Sequence, residues 1–191
     1  MPNVEPIAER IARVAAKVRE RKMHVGACMS NTELVAFEKR FGISLPEEYR
    51  EFLLRIGNGA PGPPAYGLIK LAEPSKGTAD YRSHTLEGLA SMRKLFPFTK
   101  PWVWESGDAS DEGTDEQIGN GQLYLGTDGC GMDWFLIVTG PERGNVWMIC
   151  GEGIQPTLPK RCFLRWFEDW LDGIRDWWGL QTQKPISEQE V

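Results

Sequence analysis

The chain has 191 residues, 22 of them basic and 27 acidic, giving a formal charge of −5, with a hydrophobic content of 41%. That length suits one domain of roughly 100 to 200 residues with a real core, and the acidic balance excludes nucleic-acid phosphate as the main partner, because such binding needs a clustered basic surface. Eight tryptophans are more than an average soluble domain carries, which assigns most of them to core or interface, and the charge makes a basic protein the natural partner.

The opening MPNVEPIAERIARVAAKVRERK is charged throughout, so it reads as neither a signal peptide nor a membrane span, and a cytoplasmic protein without membrane contact is expected. Ile7, Ile11, Val14 and Val18 recur at helical spacing, predicting an amphipathic helix over 6–22 that packs on the domain's flank. Residues 1–29 are thus an N-terminal helix and linker. Ser30 and Glu33 form a capping-box pattern before the apolar face Leu34, Phe37 and Phe41, and Gly42 stops that helix. The same grammar repeats with Ser44 and Glu47, Pro46 in the first turn, then Tyr49, Phe52, Leu53 and Ile56, with Glu48 and Arg50 facing water. Gly57, Asn58 and Gly59 end this helix.

After the Pro/Gly run 60–64, YGLIKL at 66–71 predicts a first strand, 86–95 a short helix and WVW at 102–104 another strand. GDASDEGTDEQ at 107–117 reads as a solvated acidic loop. LYLG, DWFLIVT at 133–139 and NVWMI at 145–149 are the clearest β signals, the last two joined as an antiparallel hairpin by GPERG. Phe163, Phe167, Trp170, Ile174 and Trp177 mark one face of a closing helix whose other side carries Glu168, Asp169, Asp172, Arg175 and Asp176. The polar residues 181–191 form a tail. Helices, then strands, then a helix predict an α+β fold: a single domain over 30–180, with helices packed on a mainly antiparallel sheet.

Motifs that carry chemistry are few. GNGAPG at 57–62 matches G-x-G-x-x-G but follows a helix and runs into prolines, whereas a dinucleotide loop follows a strand and opens a helix. Asp108, Ser110, Glu112 and Gly113 resemble the start of a calcium loop, yet its twelfth position is Gly119 where a bidentate glutamate is required. Ser91 to Lys94 matches S-x-x-K without its companion elements. Cys28, Cys130, Cys150 and Cys162 lie far apart and predict reduced thiols, and His24 with Cys28, able to share a helix face, supplies too few ligands for a metal. No catalytic residue, metal or cofactor is therefore assigned. Gly129 and Gly131 predict a tight turn before a strand. From Glu105 to Glu116 there are six acids and no base, near tryptophans at 102, 104 and 134. Acid beside aromatics suits a basic protein partner, charge speeding encounter and buried rings supplying affinity. The candidate partner-binding residues are Trp104, Asp108, Asp111, Glu112, Asp115 and Trp134.

FEKRFGISLPEEYREFLLRIGNG, within 32–59, resembles the signature of the SUKH superfamily (the Smi/Knr type): helix, Gly-Ile turn, L-P-x-x-Y-R-x-F-L, then an N-G turn. GTDGCGMDWFLIVTGPERGNVW at 126–147 resembles the superfamily's glycine turn and strand pair, and FLRWFEDWLDGI its closing helix. The resemblance implies an α+β fold without catalytic residues, shared by fungal regulators of cell-wall synthesis and bacterial immunity proteins that bind toxins, often nucleases. It makes Ser44, Leu45, Pro46, Tyr49, Phe52, Gly57 and Gly59 scaffold residues. The function it implies is neutralisation of a bacterial toxin domain by stoichiometric binding, with a regulatory adaptor as the alternative and a carboxylate-dependent enzyme as the more distant one.

Overall fold

The computed structural model describes residues 5–71, 91–103, 117–151 and 153–174. Helix α1 (Ile7–Glu20) buries Ile11, Val14 and Val18, the predicted stripe. Helix α2 (Asn31–Phe41) begins with the predicted capping box: the Glu33 N–H donates to Ser30 Oγ at 3.2 Å and the Ser30 N–H to the Glu33 carboxylate at 2.7 Å. It ends at Gly42, whose φ of 64° a side-chain-bearing residue adopts only at a cost.

The second capping box does not form. Helix α3 (Glu47–Arg55) has Pro46 as its N-cap, with no side-chain cap, and Ser44 instead accepts a hydrogen bond from Arg143 at 3.0 Å. The reason is the proline. A residue before proline is pushed toward extended backbone, Pro46 itself sits at ψ 136°, and the helix starts beyond the reach of the Ser44 hydroxyl.

Five strands follow: β1 (Trp102–Val103), β2 (Gln122–Gly129), β3 (Met132–Ile137), β4 (Val146–Cys150) and β5 (Gly153–Pro156), in the antiparallel order β1-β5-β4-β3-β2. The predicted hairpin is β3 and β4, with Phe135 opposite Trp147. Strand β5 was not anticipated. The expected strand at 66–71 is replaced by a single bridge between Leu68 and Ala60, because Gly67 at φ 96° turns the chain out of the extended region. Of the expected helix 86–95, residues 91–93 make one 3-10 turn and 86–90 lie outside the described residues. Strand β2 bulges between Tyr124 and Gly126, where a Cβ on Gly126 would come within 2.4 Å of the Gly67 carbonyl oxygen. The turn after it holds Gly129, Cys130 and Gly131, all at positive φ.

The sheet is covered on both sides, which explains the nearly continuous apolar run of β3. One core joins its Trp134, Leu136, Val146 and Met148 to the four helices, the last being α4 (Phe163–Leu171). The second core joins Phe135, Ile137, Trp147, Ile149 and Ile154 to Phe96, Phe98 and Ile118. Tyr49 and Phe52 meet Phe163 edge-on at 4.7 and 5.1 Å, so α3 and α4 interlock through aromatic rings.

Three expected surface acids are not free in water. Glu168 and Asp169 are 5% and 2% exposed. Asp169 pairs with the equally buried Arg161 at 2.7 Å, and Glu168 with Arg13 at 2.6 Å. Glu48, expected to face water, is half-buried: one oxygen pairs with Arg10 and the other accepts the Leu164 N–H at 3.0 Å. Burial of a carboxylate is tolerable only with such partners.

Candidate functional site

Strand β1, at one edge of the sheet, immediately precedes in sequence the segment marked for partner binding. Trp102 and Val103 pair with Ile154 and Gly153 of β5, and the chain enters the acidic run immediately afterwards. The Trp102 ring is tilted against Phe98 at 5.9 Å, Phe98 against Phe96 at 5.5 Å, and Phe96 against Trp147 at 5.0 Å. A file of rings thus ties the edge to the second core. Val103 is 56% exposed and places an aliphatic side chain in solvent. Pro101, Trp102, Val103, Cys150 and Ile154 line a cleft of about 70 Å³ here, well below the roughly 300 Å³ of a usual small-molecule site.

Trp104, Asp108, Asp111, Glu112 and Asp115 lie outside the described residues. Trp134 is described, and its position overturns its assignment as a partner anchor. It is 1% exposed, its Nε1–H donates to Asp128 at 2.7 Å and its ring lies 5.7 Å from that of Trp166. It faces the helices, whereas Trp102 packs against the opposite core, because alternate residues of a strand point to opposite sides. A partner could reach Trp134 only by opening the domain.

Leu45, Tyr49 and Phe52 are 3%, 2% and 0% exposed, and Pro46 is buried. Gly59 has φ 93°, and a Cβ on Gly57 would sit 2.5 Å from the Gly26 carbonyl oxygen. Burial drives the Tyr49 phenol well above its ordinary pKa, so it remains a neutral packing group.

A second cavity, of about 400 Å³, is lined by Ala27, Met29, Glu33, Phe37, Asn58 and Leu71. Its size would admit a small molecule, yet two of its polar side chains, Asn58 and Glu33, are engaged by the fold. Asn58 bonds both the N–H and the carbonyl of Leu71, and the Glu33 carboxylate caps α2. Residues 23–29, between α1 and α2, are not helical, so His24 and Cys28 do not share a helix face. Among the described residues no group of three His, Cys, Asp or Glu side chains could hold a metal ion, and no helix is long and apolar enough to cross a membrane.

Cys162, at the N-cap of α4, was missed as a point of interest by sequence reasoning. Its sulfur lies 3.1 Å from Arg10, and burial followed by the charge of Glu48 pushes the thiol above its usual range. Such a thiol is a poor nucleophile. Sequence spacing gave no signal for this contact, which joins residues 152 positions apart.

Among the described residues these features amount to a sheet packed on both sides, with β1 as one edge strand and the acidic run following it in sequence. The SMI1 / KNR4 family (SUKH-1) model matches residues 29–173, from the start of α2 past the end of α4. No curated protein and no solved structure matches the chain. Domains of this kind generally act through protein–protein contacts and without catalysis. With the match spanning most of the 191 residues, the chain belongs to the SMI1 / KNR4 family (SUKH-1).

Proposed function

We propose that this protein is an immunity-type domain that neutralises a basic bacterial toxin domain in the cytoplasm by stoichiometric binding. Family membership carries the reading. The charge of −5 and the six acids from Glu105 to Glu116 supply attraction for a basic surface, and the exposed Val103, which precedes them in sequence, supplies apolar contact. Clustered acids steer encounter with a basic partner, while affinity comes from apolar contacts.

The test titrates the purified protein against a basic toxin domain that co-purifies with it from its own host. Inhibition should stop at a fixed stoichiometry, because each blocker molecule is consumed in one complex. Replacing Asp108, Asp111, Glu112 and Asp115 together by Asn or Gln should slow association by about tenfold or more and flatten its salt dependence, with stability nearly unchanged. Trp104→Ala, in a variant shown to be folded, should chiefly raise the dissociation rate. Inactivation of excess toxin by a trace of protein would overturn the binding reading. Wild-type association by the quadruple variant would remove the acidic segment from the interface.

A further inference from the structure

The contact between α1 and the rest of the chain has a recognisable chemistry. Helices α3 and α4 form a groove that α1 fills, with Ile11, Val14 and Val18 at its floor. Three carboxylates rim it, and α1 brings a base to each. Arg10 pairs with Glu48; Arg13 grips Glu168 with two nitrogens, at 2.6 and 2.9 Å; Lys17 bonds Glu168 at 2.9 Å and Asp172 at 2.7 Å. The groove is therefore a receptor for a basic amphipathic helix. Helix α1 precedes the residues 29–173 that define the family.

Two observations bear on which copy of α1 the groove receives. Every contact just named is made to residues beyond α2, so none depends on α1 belonging to the same molecule. The hinge between them is also distorted. Lys22 stands at φ 51° where α1 stops, the Met23 N–H reaching back to the Val18 carbonyl at 3.1 Å, a stop usually built on glycine. Within the linker Met23 and Val25 rest partly buried on the domain's core, and the backbone is next fastened at Gly26, whose N–H donates to the Gly59 carbonyl at 2.9 Å. Straightening residues 21–25 would relieve Lys22 and carry α1 outward by up to roughly 16 Å at full extension.

We propose that the α3–α4 groove accepts α1 from a second copy of this chain, giving a dimer in which the N-terminal helices are exchanged. The exchanged form keeps each groove contact named above, so the balance is set by hinge strain, by the core contacts of Met23 and Val25 that a straightened linker disturbs, and by chain concentration. This proposal is independent of the toxin reading and stands or falls without a toxin present.

Charge reversal tests it. One full-length variant carries Arg13→Glu and Lys17→Glu; a second carries Glu168→Lys and Asp172→Lys. Each alone has like charges facing across the groove, in the closed and the exchanged form equally. Mixed, they can satisfy both grooves only by exchange, so light scattering should read one-chain mass for each and two-chain mass for the mixture. Wild type should itself dimerise as concentration rises, and Lys22→Gly, which removes the hinge strain, should weaken that dimer about tenfold or more. A mixture of folded variants that stays at one-chain mass overturns the proposal. Should either variant fail to fold, wild type decides it: monomer up to millimolar concentration, or a dimer indifferent to Lys22→Gly, overturns it equally.

Discussion

Replacing Glu168 by Gln keeps the side chain's volume and removes one charge from the centre of the α1–α4 contact. In the folded protein the hydrogen bonds from Arg13, aided by Lys17, hold the Glu168 carboxyl at about 2, against an ordinary 4.5. At roughly 1.36 kcal/mol per unit of pKa, that difference sets an upper bound of about 3.4 kcal/mol. The bound must be discounted, because the Glu168 side chain is 6% exposed but those of Arg13 and Lys17 are 40% and 26% exposed and partly screened by water. An effect of about 1 to 2 kcal/mol at pH 7 remains.

The pH dependence gives this prediction its edge. Because the folded carboxyl binds its proton less readily than the unfolded one, the unfolded state holds more protons between pH 4.5 and 2. The stabilisation is complete above 4.5 and disappears as pH falls toward 2. Urea unfolding of wild type and Glu168→Gln at several pH values measures it, since other carboxyls titrate alike in both chains and cancel in the difference. The two midpoints should converge at low pH. A gap of unchanged size across the whole range would refute an electrostatic role and leave only packing.

Two further substitutions separate local cap chemistry from core packing. Ser30→Ala should cost about 0.5 to 2 kcal/mol in denaturant unfolding, as for a side-chain N-cap, whereas Ser44→Ala should cost about 0.5 kcal/mol or less, because Arg143 still bonds the Ser44 and Leu45 carbonyls. Equal losses would contradict the assigned caps. Trp134→Ala should destabilise the fold by about 3 to 5 kcal/mol, the range for emptying a large aromatic site; a variant as stable as wild type that released its partner faster would restore Trp134 to the interface.

What the sequence revealed, and what it concealed, follows from the range of each signal. The helices around Phe37 and Phe52 and the β3–β4 hairpin were legible because their periodicity and stop residues act over a few positions. Ser44 shows how such signals mislead. It has the spacing of a capping residue, but the proline two positions on fixes the backbone first, and the residue that claims its oxygen, Arg143, arrives from 99 positions away. Strand β5 has only four residues, with Gly153 and Pro156 at its ends, so neither alternation nor propensity marks it.

The same limit governs the charged residues. Glu48, Glu168 and Asp169 sit at positions that helical spacing assigns to water, and each is drawn inward by a base: Arg10 and Arg13 come from distant sequence, and Arg161 from just before α4. Spacing along one helix reports where a side chain points, whereas partners on other elements decide whether a charge there meets solvent. The tryptophans show the converse. Proximity to the acidic run grouped Trp134 with Trp104, yet strand alternation puts Trp134 on the helix side, away from the β1 edge where that run begins. A candidate interface therefore rests more securely on Val103, whose exposure is a property of the folded edge, than on aromatic residues grouped by closeness in sequence.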